Sequence, residues 1–160
     1  MNPTIIPQFY GDAGTLQTVT LMREMVEQSY LHPWIRERAA IVTQPCNRNP
    51  VCDHQLLNQF VREAIQYISD PLGTEVLADP ITFVEARLRQ GAPVFGDCAQ
   101  MVTYLCSLLK SIGHAPKFKV IGDGQELTHV FVECEGEDMD PTLTGFDVPQ
   151  YYERFMLVDA

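Results

Sequence analysis

The sequence predicts an α+β fold, in which a helical first half leads into one strongly amphipathic helix and then a set of antiparallel strands. Three observations carry this. Apolar residues recur at three- and four-residue steps through the first half of the chain. The segment Cys98 to Ser111 shows the same period most strongly, with Met101, Val102, Leu105, Leu108, Leu109 and then Ile112 on its apolar stripe. Beyond Lys117 the pattern switches to strand-like alternation punctuated by glycine and acidic turn residues.

A first helix is expected from Thr15 to Tyr30, where Leu16, Val19, Met22, Met25 and Val26 fall at helical spacing and the His32-Pro33 step closes it. A second, shorter helix runs from Trp34 to Val42 and stops before Pro45. Cys46 to Pro50 reads as a polar loop. Asp53 is then the expected N-cap of a third helix, striped by Leu56, Leu57, Phe60, Val61, Ile65 and Ile68. Asp70-Pro71-Leu72-Gly73 makes a turn, Glu75 to Ala78 a short strand, and Pro80 to Arg89 a fourth helix with Phe83, Ala86 and Leu88 partly buried. After the Cys98 helix, which Gly113 ends, strands are expected over Lys117 to Ile121, Leu127 to Cys134, Met139 to Leu143 and Tyr151 to Val158. Gly122-Asp123-Gly124 and Glu135-Gly136-Glu137 are the turns between the first three. No internal repeat interrupts this order, so residues 1–160 read as a single domain in which 1–45 form a helical N-terminal extension on the core.

Charge narrows the functional classes. A net charge of -10 repels phosphate backbones and anionic lipid surfaces, so neither nucleic acid nor membrane is an expected partner. Lys110, Lys117 and Lys119 read as a solvated face. Met1 to Gly11 lacks the basic and apolar stretches of a secretory leader, and no later run approaches the length of a membrane span. The expected location is the cytoplasm, with the five cysteines reduced.

Reactive chemistry is expected at Cys98, His129 and Asp140. A cysteine opening a helix has its thiolate favoured by unpaired N–H groups and the helix dipole, and Asp97 with Gln100 stand at capping-box spacing to set that start. Asp97 also opposes thiolate formation, so an imidazole partner is needed. His129 lies in an alternating strand and Asp140 on the next strand, across a short hairpin; neighbouring strands about 5 Å apart let the carboxylate reach the outer ring nitrogen. The inner nitrogen can then draw the proton from the thiol. Each residue alone has an ordinary structural role, a packing cysteine, a strand histidine and a turn aspartate; the combination in this order points to catalysis. The Cys98 N–H is the natural oxyanion donor, and Gln90 is a candidate second donor by its upstream position.

At these residues the chain resembles a family. Residues 96–113, beginning Gly96-Asp97-Cys98-Ala99-Gln100, look like the nucleophile segment of transglutaminase-like proteins, which share a core with papain-type cysteine proteases. Thr128-His129-Val130-Phe131-Val132-Glu133 is similar to their histidine strand, and Met139-Asp140-Pro141-Thr142 to their Asp-Pro motif. Tyr67 to Pro71, Glu75 to Pro80, and the helical start from Gly14 to Val26 resemble a branch found in bacteriophages and prophages. Two departures touch the approach to the site: Ala99-Gln100 stand where the branch often has acidic residues, and Ala92-Pro93-Val94-Phe95 lengthens the lead into Gly96. The resemblance implies a transglutaminase-like, papain-like core with the nucleophile helix packed on a small antiparallel sheet. It also implies a Cys98-His129-Asp140 triad, a thioester intermediate on amide substrates, and no cofactor.

Peptide cleavage and glutamine–lysine joining share that intermediate; the small chain, which shows no dedicated amine site, favours peptidase. A protein or peptide substrate is the expected partner, and phage structural proteins enter through the resemblance, as does a location in the host cytoplasm or virion. The rival reading is a virion or assembly module that keeps the fold with its triad idle. Cys46, Cys52 and His54 offer only three ligands without knuckle spacing, so no metal is expected there, and Cys106 and Cys134 read as packing residues. The acids from Glu133 to Asp140 lack the spacing of a calcium loop.

Overall fold

A computed structural model of the chain describes residues 4–7, 11–143, 152 and 154–160. It is a mixed fold of the expected α+β kind: helices gathered on one side of a central helix and an antiparallel sheet on the other. The helices are α1 (Asp12–Ser29), α2 (Pro33–Thr43), α3 (Pro50–Ala64), α4 (Ala86–Arg89) and α5 (Cys98–Ser111). The strands are β1 (Thr4–Pro7), β2 (Ile65–Tyr67), β3 (Thr74–Leu77), β4 (Val94–Gly96), β5 (Pro116–Gly122), β6 (Leu127–Cys134), β7 (Glu137–Met139) and β8 (Arg154–Asp159).

Helix α5 is the axis of the molecule. It is buried on nearly every face, and Tyr104, Leu105, Leu108 and Leu109 are fully enclosed, each such leucine contributing roughly 1.5–3 kcal/mol through removal from water. One face packs on α1, α2 and α3, the other on β5 and β6. Its start is set by Asp97, whose Oδ1 accepts from the Gln100 N–H at 3.1 Å. Its end is set by Gly113, at φ 99°, whose N–H donates to the Lys110 carbonyl. The capping box is only half formed, because the Gln100 side chain turns away to donate to the Val76 carbonyl at 3.2 Å.

The four-stranded sheet has the order β7-β6-β5-β8 and is antiparallel throughout. Val120 opposes Val130 and Ile121 opposes His129, after which the register shifts and Gly122 meets Leu127. That bulge falls immediately before His129 and kinks the strand where the ring leaves it. Gly122 is required there, since a Cβ would sit 1.9 Å from the Glu126 carbonyl oxygen. Two small pairings were not expected from sequence: β1 with β3, antiparallel, and β2 with β4, parallel. The second ties the segment before Cys98 to the end of α3.

Other elements differ from expectation in detail. Asn49, not Asp53, caps α3: its side chain accepts from the Cys52 N–H, and Pro50 takes the first helical position. Ile65 lies in β2 and Ile68 is exposed, so the α3 stripe ends sooner than its periodicity suggests. The fourth helix opens as a π-helical turn over Pro80–Glu85, capped by Asp79, before becoming α4. The third sheet strand stops at Met139, leaving Asp140 just beyond it. The strand expected from Tyr151 is β8, with Tyr151 and Glu153 outside the described residues. Cys46 and Cys52 are joined in a disulfide across the start of α3, contrary to the expectation of reduced thiols for this pair. Among the described residues no helix is long and apolar enough to cross a membrane.

The helical layer is pinned to α5 by a buried carboxylate. Glu85, fully buried, accepts from Arg38 Nε at 3.0 Å and Nη2 at 3.3 Å, from the Tyr104 hydroxyl, and faces Arg89 Nε at 3.4 Å. A charge so placed is tolerable only because its lone pairs are all used.

Candidate active site

The fold brings Cys98, His129 and Asp140 to one end of the sheet. Cys98 is the first residue of α5 and is half-buried, and the Val130 backbone in β6 acts in favour of its thiolate. The head of α5 therefore faces the stretch of β6 that carries His129. Cys98 and His129 line one cavity of about 220 Å³. His129 Nε2 lies 2.5 Å from Asp140 Oδ2. Asp140 reaches it diagonally across the hairpin, because Met139 opposes Val132 and β7 ends there.

Asp140 is held by its own loop. Its Oδ1 accepts from the Thr142 N–H at 2.9 Å and from the Thr142 hydroxyl at 2.6 Å, an aspartate turn ahead of a segment that Pro141 keeps out of the ladder. Burial pushes the carboxyl up, but the bonds from His129 and Thr142 outweigh it and hold it below its ordinary value. It is an anion, and the neighbouring ring nitrogen carries the proton.

The thiol is in a different state from the one its helix position suggests. Burial, then the Asp97 carboxylate, push Cys98 up to about 12; Glu75 and Asp140 add to this, and the Val130 backbone opposes it. Burial and the surrounding carboxylates thus favour the thiol over the thiolate at the head of α5. The same crowding raises the acids: burial and then Asp97 and Asp70 lift Glu75 to about 7, and burial lifts Asp97 to about 6.

These raised carboxyls predict a pH dependence of stability. The folded state holds protons that the unfolded chain releases, so their contribution is present below the ordinary carboxylate range and is lost as pH rises through about 6 to 7. Glu75→Gln, which imitates the protonated form, is expected to stabilise the protein at pH 8 by on the order of 1–2 kcal/mol after discounting for solvent, and to change little at pH 4. Urea titrations of both proteins at the two pH values check it.

Sequence reasoning missed the cavity's other wall. Gly14, Thr15, Thr18 and Met22 of α1 line it, and Thr15 donates to the Leu127 carbonyl at 3.4 Å, so the N-terminal helix closes one side of the site. Glu75 and Glu126 add carboxylates to the lining. The period of α1 revealed a buried stripe but not what the stripe faces. Gln90, the candidate second oxyanion donor, is exposed at the C-cap of α4 and does not line the cavity. Gln100 does not take its place, since its amide donates to the Val76 carbonyl and it too is absent from the cavity lining.

No family model and no curated protein matches the sequence. Among solved structures, the chain is similar in fold to a candidate protease from Parabacteroides distasonis, with a TM-score of 0.56 and 13% identity. The match covers 76% of this chain and 25% of that one, so the chain spans about a quarter of the length of its structural neighbour.

Proposed function

We propose that the chain is a cysteine-dependent acyl-transfer enzyme acting on amide bonds, with Cys98 as nucleophile, His129 as general base and then acid, and Asp140 as the group that orients the base. One observation carries the reading: Cys98 and His129 line one cavity, and the same histidine is bonded to a buried aspartate at 2.5 Å. The finer fold reading, a core of the transglutaminase-like and papain-like kind, rests on the same order of parts. The description of the structural neighbour as a candidate protease lies on the same side.

The electrostatics favour one order of steps. Asp140 holds the Nε2–H tautomer, which leaves Nδ1 as a proton acceptor. Because the thiol rests protonated, proton transfer to Nδ1 accompanies attack on the amide carbonyl rather than preceding it. Oxyanion charge develops at the N-terminus of α5, where the Cys98 N–H is one of the donors without a partner inside the helix. His129 returns the proton to the leaving amine, a thioester remains on Cys98, and water or a second amine resolves it. The carboxylates of Glu75 and Glu126 favour substrates that carry a cationic group near the attacked amide. The partner is thus a protein or peptide; a phage structural protein, and a site of action in a host cytoplasm or virion, follow from the resemblance alone.

Incubation with a peptide library and primary amines, read by mass spectrometry, tests the proposal. The expected result is hydrolysed or transamidated peptide with basic residues enriched around the reacted amide. A second reading, a binding module with an idle triad, draws on the thiol lying as high as about 12. Absence of any product across the library, with the protein folded, would establish that reading instead.

A further inference from the structure

At the opposite end of α5 from Cys98, four side chains converge that have no part in the chemistry above. His54 from α3, His114 just after α5, Cys134 at the end of β6 and Glu135 in the β6–β7 turn each offer a ligand atom, and these atoms lie within 4.8 Å of one another. His54 is 2% exposed, and its Nε2 is buried with no hydrogen-bond partner among the described residues. A buried ring nitrogen without a partner is costly. It points at Glu135, whose Oε2 is 3.6 Å away, outside hydrogen-bond reach.

The rest of the cluster is arranged around that nitrogen. His54 Nδ1 is bonded to Glu137 Oε2 at 2.9 Å, which fixes the ring so that Nε2 presents a lone pair. His114 repeats the arrangement in mirror form: Nε2 is bonded to Asp53 Oδ2 at 3.1 Å and Nδ1 faces Glu135 Oε1 at 3.0 Å. The two rings stand edge to face with centroids 4.8 Å apart and pinch the Glu135 carboxylate between them. Each imidazole thus carries an outer carboxylate on one nitrogen and turns the other inward, the pattern by which proteins orient metal-binding histidines. Glu135 is held at φ 53°, a left-handed conformation that a glutamate adopts at a cost, in a two-residue turn where asparagine is the common choice.

We infer that His54, His114, Cys134 and Glu135 form a tetrahedral site for a zinc-type divalent ion. Two imidazoles, a thiolate and a carboxylate suit a borderline-soft ion, whereas calcium or magnesium takes oxygen ligands. Ligand atoms around such an ion stand about 3.3–3.6 Å apart, so the cluster closes by roughly an ångström on binding. The ion inserts between His114 Nδ1 and Glu135, while Asp53 and Glu137 keep their outer bonds. A surface cleft lined by Asp53, Gly113 and His114 gives it a way in. Its effect is to staple α3, the α5–β5 corner and the β6–β7 hairpin together, and that hairpin carries His129 and Asp140 at its other end. The expectation of no metal weighed His54 with Cys46 and Cys52, but those two cysteines are bonded to each other.

The test is chelator dialysis of the full chain, elemental analysis, and titration with cobalt and then zinc. The expected results are a single ion per chain, a thiolate-to-cobalt charge-transfer band, and a higher melting temperature with zinc. Cys134→Ser removes the band, Glu135→Gln on the exposed turn weakens zinc binding without harming the fold, and Glu137→Gln lowers affinity by about 10–100-fold. Cys98→Ser leaves all of these unchanged, which separates the site from the catalytic proposal. Substoichiometric binding by the folded protein, or a band that survives Cys134→Ser, overturns the assignment.

Discussion

Cys98→Ser is expected to reduce acyl transfer by about 10⁶-fold, the scale at which loss of a nucleophile from a triad leaves only the residual effect of binding and oxyanion stabilisation. The substitution changes the volume at the head of α5 little. It replaces sulfur by an oxygen whose proton His129 removes far less readily, in a pocket where burial and then Asp97 already oppose the anion. Asp140→Asn gives a graded counterpart. An amide in place of the carboxylate no longer requires the Nε2–H tautomer, and a loss of about 10⁴-fold is expected with little change in substrate affinity. Product formation by mass spectrometry, together with unchanged circular dichroism, reads both variants; a serine variant retaining more than a small fraction of the parent rate would remove Cys98 from the chemistry.

Glu85→Ala is expected to cost about 3–5 kcal/mol of stability. The carboxylate it removes satisfies Arg38 from α2 and the Tyr104 hydroxyl from α5, and also faces Arg89. Without it, a partly buried guanidinium and a fully buried phenol lose their acceptor, and a cavity opens beside α5. Urea unfolding should show a lower midpoint with the slope unchanged. A midpoint within experimental error of the parent would mean that this network does not pin the helical layer to α5.

What the sequence disclosed, and what it hid, follows from how local each signal is. Helix α5 was legible to the residue because its apolar period is strong and Asp97 caps it by a bond within one turn. Strands β5 and β6 were legible because alternation and a glycine-bearing turn lie side by side in the chain. The β1–β3 and β2–β4 pairs were not, since three- or four-residue strands pair with partners far along the chain and carry no pattern of their own. The cap of α3 went to Asn49 because Pro50 is well suited to a first helical position, a fact that competes with the more obvious Asp53.

The candidate site divides the same way. Residue types and order pointed to Cys98, His129 and Asp140, and the fold places them at one end of the sheet. The charge state of the thiol was only half visible: Asp97 is adjacent in sequence, but Glu75 arrives on β3 and Asp140 through the turn beyond β7. Likewise His54 was noticed beside the wrong cysteines, because its neighbours His114, Cys134 and Glu135 come from distant parts of the chain.

The central claim is that the Cys98 sulfur takes up an acyl group with His129 removing its proton. Acid quenching during turnover of a reactive peptide ester, followed by peptide mapping, measures this directly. The account predicts a thioester on Cys98 alone in the parent and its disappearance in His129→Ala. An adduct distributed over Cys98, Cys106 and Cys134, or one equally abundant in both proteins, would contradict it.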